Sequence, residues 1–241
     1  MLSPKTSYTD TDRADEPRPA AATAPATSTE ESCPICGSNL LVEFAGRPNA
    51  RCEGCDALER HRALARQMSE LLGDGKGHRA LEAGPVSPRV FGGFLSERGW
   101  RYQSIDQSRR GNPNDPRAVG FVDEEADLCQ LSQITDDSMH LVVVQHVIEE
   151  IPSYRTALAE IARVLARDGV ALLEIPFNQS LERSERHPPN HYGNVWAFGA
   201  DLPGVVAEHF AHAEVIGLRE AKYFGRLFVC RHTGEPEPLG V

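Results

Sequence analysis

The sequence predicts an α/β protein, a doubly wound and mostly parallel sheet behind a small N-terminal zinc-ribbon module. Three observations carry this. From residue 78 onward, strand-like apolar runs alternate with stretches of helical periodicity. The runs His140–Val144 and Val170–Ile175 are almost continuously apolar, the mark of strands buried on both faces. Ahead of them, Cys33, Cys36, Cys52 and Cys55 read C-x2-C, a gap of fifteen residues, then C-x2-C. That spacing suits a closed, structural tetrahedral zinc site with all four positions filled by thiolates.

The elements follow in order. Residues 1–31 are Ala, Thr, Pro, Ser and acid, with too little apolar surface to offset ordering entropy, and predict a disordered tail. Residues 32–76 hold the cysteine module and a linking helix. Leu58, Leu64, Met68, Leu71 and Leu72 recur at helical spacing and predict that helix over 57–72, broken by Gly73, Gly75 and Gly77. Residues 77–232 form the α/β domain, and 233–241 a C-terminal tail. Within the domain the pattern predicts a strand Arg79–Ala83, a helix Val90–Arg98 and a strand Arg101–Ile105 ending at Asp106. Gly111–Asp115 is a polar, turn-rich excursion and Val119–Val122 a short strand. After the strand His140–Val144 comes an amphipathic helix Tyr154–Leu165, with Leu158, Ile161, Ala162 and Leu165 on one face. Arg167–Gly169 turns the chain into the strand Val170–Ile175. A long polar loop leads to a helix Leu202–Phe210 and two closing strands, Ala213–Leu218 and Arg226–Cys230.

Composition narrows the function. The chain of 241 residues carries a formal net charge of -10, which repels a phosphate backbone and makes nucleic acid an unfavoured partner. The exception is local. Residues 33–66 carry Arg47, Arg51, Arg60, Arg62 and Arg66 against four acids. No apolar run approaches the roughly 20 residues that span a bilayer, and no apolar stretch follows a basic start, so the expected location is cytoplasmic. Cys129 and Cys230 lie in apolar stretches and read as core residues.

In this architecture ligands bind at the carboxyl ends of strands, where strand order reverses. The residues there are distinctive: LEAGP at 81–85, SID at 104–106, EADL at 125–128, VVVQHVIEEIP at 142–152 and ALAEIARVLARDGVALLEIP at 157–176. Over about residues 78–230 this series resembles a class I S-adenosylmethionine-dependent methyltransferase of the group often labelled type 11. The cysteine module with LERHR at 58–62 is similar to a leader found on some members. The resemblance implies a seven-stranded Rossmann-like sheet whose last strand is inserted antiparallel. It also implies S-adenosylmethionine as cofactor beside the structural zinc, and a methyl transfer to a small molecule.

The residues give that expectation its detail. Gly84 ends a strand where backbone can approach a ligand closely, and Glu82 beside it can meet an ammonium group. Asp106 can accept both ribose hydroxyls. Asp127 can accept from an adenine amino group, with Leu128 against the ring. Gln145 and His146 end the fourth strand, where the resemblance places the methionine portion and the methyl group. His146 is a candidate general base, while Glu149 and Glu150 read as the acidic first turn of the next helix. The loop after the first strand reads Gly84-Pro85-Val86-Ser87-Pro88 where the family has G-x-G-x-G. In the loop 177–200, Asn194 and Trp196 stand where relatives often have His and Arg, and His191 is the nearby substitute base. Two alternatives stay open. One is methylation of RNA or protein gripped by the arginines of the module, and the other is a non-methylating descendant that uses the pocket as a lyase, cyclase or regulator.

Overall fold

The computed structural model describes residues 32–87, 90–108 and 122–233. The expected tails except residue 233, the stretch 111–115, Pro88 and all but the last residue of the expected strand Val119–Val122 lie outside the described residues. The cysteine segment is built on a hairpin, β1 (Leu41–Phe44) and β2 (Arg47–Cys52). Its two-residue turn, Ala45-Gly46, has positive φ at both positions, the geometry that matches strand twist. The sequence RPNARC of β2 has no apolar alternation, so nothing in it announced a strand. Helix α1 (Glu59–Leu71) follows. The Leu58 N–H donates to Nδ1 of His61 at 3.0 Å, satisfying a backbone donor at the start of the helix.

The main sheet then assembles from β3 (Arg79–Ala83), β4 (Arg101–Asp106), β5 (Glu124–Glu125), β6 (Met139–Gln145), β7 (Leu165–Glu174), β10 (His212–Glu220) and β11 (Tyr223–Arg231). The helices are α2 (Phe91–Ser96), a 3-10 turn Ile148–Glu150, α3 (Tyr154–Val164) and α4 (Leu202–Ala207). Two short strands, β8 (Glu185–Arg186) and β9 (Trp196–Ala197), pair inside the long loop. The sheet order is β10-β11-β7-β6-β3-β4-β5. Strands β3 to β7 run parallel, and β11 lies antiparallel between β7 and β10. Chain order therefore reverses between β3 and β6, which puts the ligand crevice above the ends of those two strands.

One expectation is corrected. Arg167–Gly169 does not separate helix from strand. β7 begins at Leu165, directly after α3, and the register against β6 slips between Met139 and Leu141 to absorb the extra residues. A side chain at Gly169 would lie 2.9 Å from the Met139 carbonyl, so glycine is what lets the bulge close.

Each face of the sheet has its own core. On one, Val142, Val144, Leu173 and Phe228 pack with Leu158, Ile161, Leu202 and Val206 of α3 and α4. On the other, Leu141, Val143, Leu172 and Leu227 pack with Leu64 and Met68 of α1 and Phe91 and Phe94 of α2. Cys33, Cys52 and Cys55 belong to this second cluster, so the cysteine module and the sheet share one continuous core.

Candidate active site

The four candidate metal ligands come together. The sulfurs of Cys33, Cys36, Cys52 and Cys55 all lie within 4.8 Å of one another, with Cys33 to Cys55 at 3.8 Å and Cys36 to Cys52 at 3.5 Å. Thiolates about 2.3 Å from a tetrahedral zinc stand about 3.8 Å apart, so the donor set fits that ion. A disulfide would need about 2.05 Å. The two cysteine turns repeat one device: the N–H of Gly37 reaches the Cys33 carbonyl at 2.8 Å, and the N–H of Asp56 reaches that of Cys52 at 2.9 Å, both from positive φ. The hydrogen bond that Cys33 and Cys55 share draws the Cys33 thiol down to about 5 and pushes the Cys55 thiol up, so the pair shares a proton between the two sulfurs.

LERHR fastens this module to the sheet. Glu59 takes Arg47 at 3.0 Å. Arg62, with its side chain only 1% exposed, donates to the carbonyls of Asn49 and Ala50 in β2 and of Ala57, and its Nε lies 3.0 Å from Oε1 of Glu220 at the end of β10. Arg66 takes the other oxygen of Glu220 at 3.0 Å. The arginines that sequence reading offered as an RNA grip include two that face the protein.

At the strand ends, Glu82 is buried on β3 and accepts the Tyr102 hydroxyl at 2.5 Å. Burial, partly offset by that hydrogen bond, raises its carboxyl to about 7. Gly84 has φ +66, and a Cβ there would lie 2.4 Å from Cγ2 of Val147. Its close approach is thus to the segment after β6, which the sequence did not show. Asp106 ends β4, accepts the Ser108 N–H at 3.1 Å, and has its carboxyl pushed up by burial. Asp127 is exposed and accepts the Cys129 N–H at 2.8 Å, while Leu128 is buried in the core beside Leu131 and Ile151.

Beyond β6 the structure gathers groups that sequence reading did not join. His146 follows β6 directly and sits at φ +54. Its Nδ1 is 3.1 Å from Oε1 of Glu149 and its Nε2 is 3.6 Å from Oε1 of Glu174, both carboxylates buried. Oε2 of Glu174 accepts Nε2 of Gln145 at 2.5 Å, and the Tyr223 hydroxyl donates to Oε1. Burial works against a charge on His146, and Glu149 and Glu174 together outweigh it, raising the imidazole to about 9. At neutral pH this ring is a cation, and proton abstraction by it waits for alkaline conditions. Glu150 moves the other way from its usual role. Burial, then the charges of Glu149 and Asp106, raise its carboxyl to about 7, where a group exchanges protons most readily near neutral pH.

Glu149 and Glu150 therefore do not begin α3. They form the 3-10 turn, and α3 starts at Tyr154 after Pro152. The long loop docks on that turn: the Val195 N–H reaches the Glu149 carbonyl at 2.9 Å and Trp196 Nε1 the Ile151 carbonyl at 3.1 Å. His191 is exposed and packs edge-on against Tyr192. Among the described interactions, none joins it to His146.

Residues 73–173 match the family model described as a methyltransferase domain. The matched stretch runs from the linker after α1 into β7. No curated protein matches the chain by sequence. Among solved structures, the chain is similar to the 1,6-didemethyltoxoflavin-N1-methyltransferase of Burkholderia thailandensis, a complex with 1,6-didemethyltoxoflavin and S-adenosylhomocysteine. The identity is 17%, the TM-score 0.50, and the match covers 70% of this chain and 76% of that one. It is also similar to a chain in the complex between the Haloferax volcanii Trm112 methyltransferase activator and a putative methyltransferase, with 15% identity, a TM-score of 0.54, and coverage of 73% and 92%. At these identities the likeness is one of fold, a mostly parallel sheet that in this chain has seven strands and an antiparallel β11.

Proposed function

We propose that the protein methylates a small molecule with S-adenosylmethionine bound above β3 and β6, and that the cysteine cluster holds a structural zinc. One observation supports the reading: Asp106, Gln145 and Glu174 end β4, β6 and β7, and His146 and the 3-10 turn with Glu149 and Glu150 follow β6, beside the point where strand order reverses. S-adenosylmethionine, when bound, supplies an electrophilic methyl group on a sulfonium. Asp106 would accept the ribose hydroxyls, Asp127 the adenine amino group with Leu128 behind it, and Gly84, Glu82 and Gln145 would hold the methionine end.

On the acceptor side, His146 would act as a fixed cationic hydrogen-bond donor, pinned by Glu149 and Glu174. Glu150, with its carboxyl near 7, would take the acceptor's proton at Oε as the methyl group arrives. His191, on the docked loop, would contact the acceptor from above. Positioning supplies most of what such a displacement needs. The pairing of Arg62 and Arg66 with Glu220 favours a small molecule over RNA.

Calorimetry with S-adenosylmethionine tests the cofactor assignment. Asp106→Ala should bind at least about tenfold more weakly, the loss of one charge-assisted hydrogen bond; equal affinity removes Asp106 from the site. Incubating the protein with methyl-labelled cofactor and fractionated cell extract tests the substrate class. Label in the low-molecular-weight fraction supports the reading, and label confined to RNA or protein overturns it.

A further inference from the structure

We propose that Arg62 is a positioning residue for the active site, acting through Glu220 and Tyr223 to hold Glu174 against His146. Three side-chain contacts are joined by one backbone pair. The Arg62 guanidinium is fixed by three carbonyls, those of Asn49, Ala50 and Ala57, which flank Cys52 and Cys55. Its Nε holds Oε1 of Glu220 at 3.0 Å. Glu220 is the last residue of β10 and lies directly across the hairpin from Tyr223, the first residue of β11. The hydroxyl of Tyr223 donates to Oε1 of Glu174, the same oxygen that faces Nε2 of His146.

Two further features make this a fixed path. The hairpin turn is only Ala221 and Lys222, and Ala221 sits at φ +51, an unusual conformation that a residue with a side chain keeps only when its surroundings impose it. A Cβ at Gly225 would lie 2.6 Å from Oε1 of Glu174, so the start of β11 rests directly on that carboxylate. A guanidinium buried this deeply is costly unless its partners are in place. Any shift of the module relative to the main sheet therefore reaches the Glu220–Tyr223 pair, and through it the carboxylate that orients the ring. The importance of that ring rests on the proposed methyltransferase site.

The test reads the histidine itself. The ring of His146 is titrated by NMR in the full zinc-loaded chain. The groups that face it are Glu149 and Glu150 from the 3-10 turn, Glu174 from β7 and, behind Glu174, Tyr223 from β11. Glu220→Ala and Arg62→Lys should each lower the His146 midpoint by about one pH unit, a tenfold loss in proton affinity. Tyr223→Phe should do the same, and Glu220→Ala combined with Tyr223→Phe should do no more than Tyr223→Phe alone. Zinc content and a cooperative melt show that each variant is folded, and Glu220→Ala carries the test should Arg62→Lys fail to fold. An unchanged His146 midpoint in folded Glu220→Ala overturns the proposal, as does an unchanged midpoint in Tyr223→Phe. Cofactor affinity, measured in parallel, reports on the methyltransferase reading separately: unaltered cofactor binding with a shifted midpoint supports the path, and absent cofactor binding in the wild type counts against the site and not against the path.

Discussion

Gly84 and Val147 approach so closely that no side chain fits between them: a Cβ on Gly84 would stand 2.4 Å from Cγ2 of Val147. The end of β3 and the segment after β6 are thereby locked at the point where the sheet opens. Gly84→Ala combines this clash with a left-handed backbone at φ +66, which costs an alanine about 1–2 kcal/mol. A total loss of about 2–4 kcal/mol is expected in denaturant unfolding. Adding Val147→Ala should recover the clash and leave the backbone cost. Full recovery in the double variant, or none, contradicts this division.

Glu82 makes a prediction about pH. Its carboxyl rises from the ordinary 4.5 to about 7, chiefly through burial. The folded state then binds this proton more tightly than the unfolded state, so stability falls as pH rises from about 4.5 to about 7. Glu82→Gln keeps an oxygen for Tyr102 and removes the cost of ionisation. It should stabilise the protein by up to about 3 kcal/mol at pH 8 and be nearly neutral at pH 4. Equal gains at both values would mean that the carboxyl ionises as freely folded as unfolded.

His146 has the opposite linkage. Its imidazole is raised from 6.5 to about 9, so it contributes stability that is complete below pH 6.5 and disappears as pH rises through 9. Asparagine tolerates the positive φ at this position. The melting temperature of His146→Asn should lie below that of wild type at pH 6 and converge on it above pH 10. A difference that widens with pH would assign the ring the wrong charge.

Metal removal should affect more than the N-terminal module. Because Cys33, Cys52 and Cys55 share a core cluster with Leu64, Met68, Leu141 and Leu172, chelation should lower the single melting transition of the whole described domain. Cys52→Ser should act in the same direction, with zinc content falling below that of the wild type loaded with the metal. A separate low-temperature transition, with the main one unmoved, would show that the module unfolds alone.

Much of the fold was legible because its signals are local. The strand Arg79–Ala83 ends where Gly84 begins a turn, and Arg101–Asp106 ends on the carboxylate that the strand-end rule picks out. The leucines and Met68 of α1 keep helical spacing because that face lies on the sheet. What escaped is what depends on partners far away in the chain. Glu149 was missed for a different reason: its partner His146 is only three residues away, but the segment looked like an acidic first helical turn and is instead a 3-10 turn separate from α3. Glu174 ends β7 as His146 follows β6, so the rule that found one would have found the other. Tyr223 carried no signal at all, since its partner Glu174 lies 49 residues earlier. The β1–β2 hairpin was hidden because the cysteine cluster, not alternating apolar residues, supplies its burial.

The link between Arg62 and Glu220 also sets an order of events during synthesis. The carboxylate that neutralises the buried guanidinium is encoded 158 residues after it. At about 5–20 residues per second, the ribosome needs roughly 10–30 s to make that stretch. During that interval α1 has no sheet edge to dock against, because β10 and β11, on which it packs, are the last strands to emerge. The nascent cysteine module must therefore wait with Arg62 held by its own carbonyls but lacking its carboxylate, and with the apolar face of α1 exposed to chaperones or to other chains. Closure of the sheet and seating of the module become one late step, and a ribosome that stalls before residue 220 leaves a chain with neither.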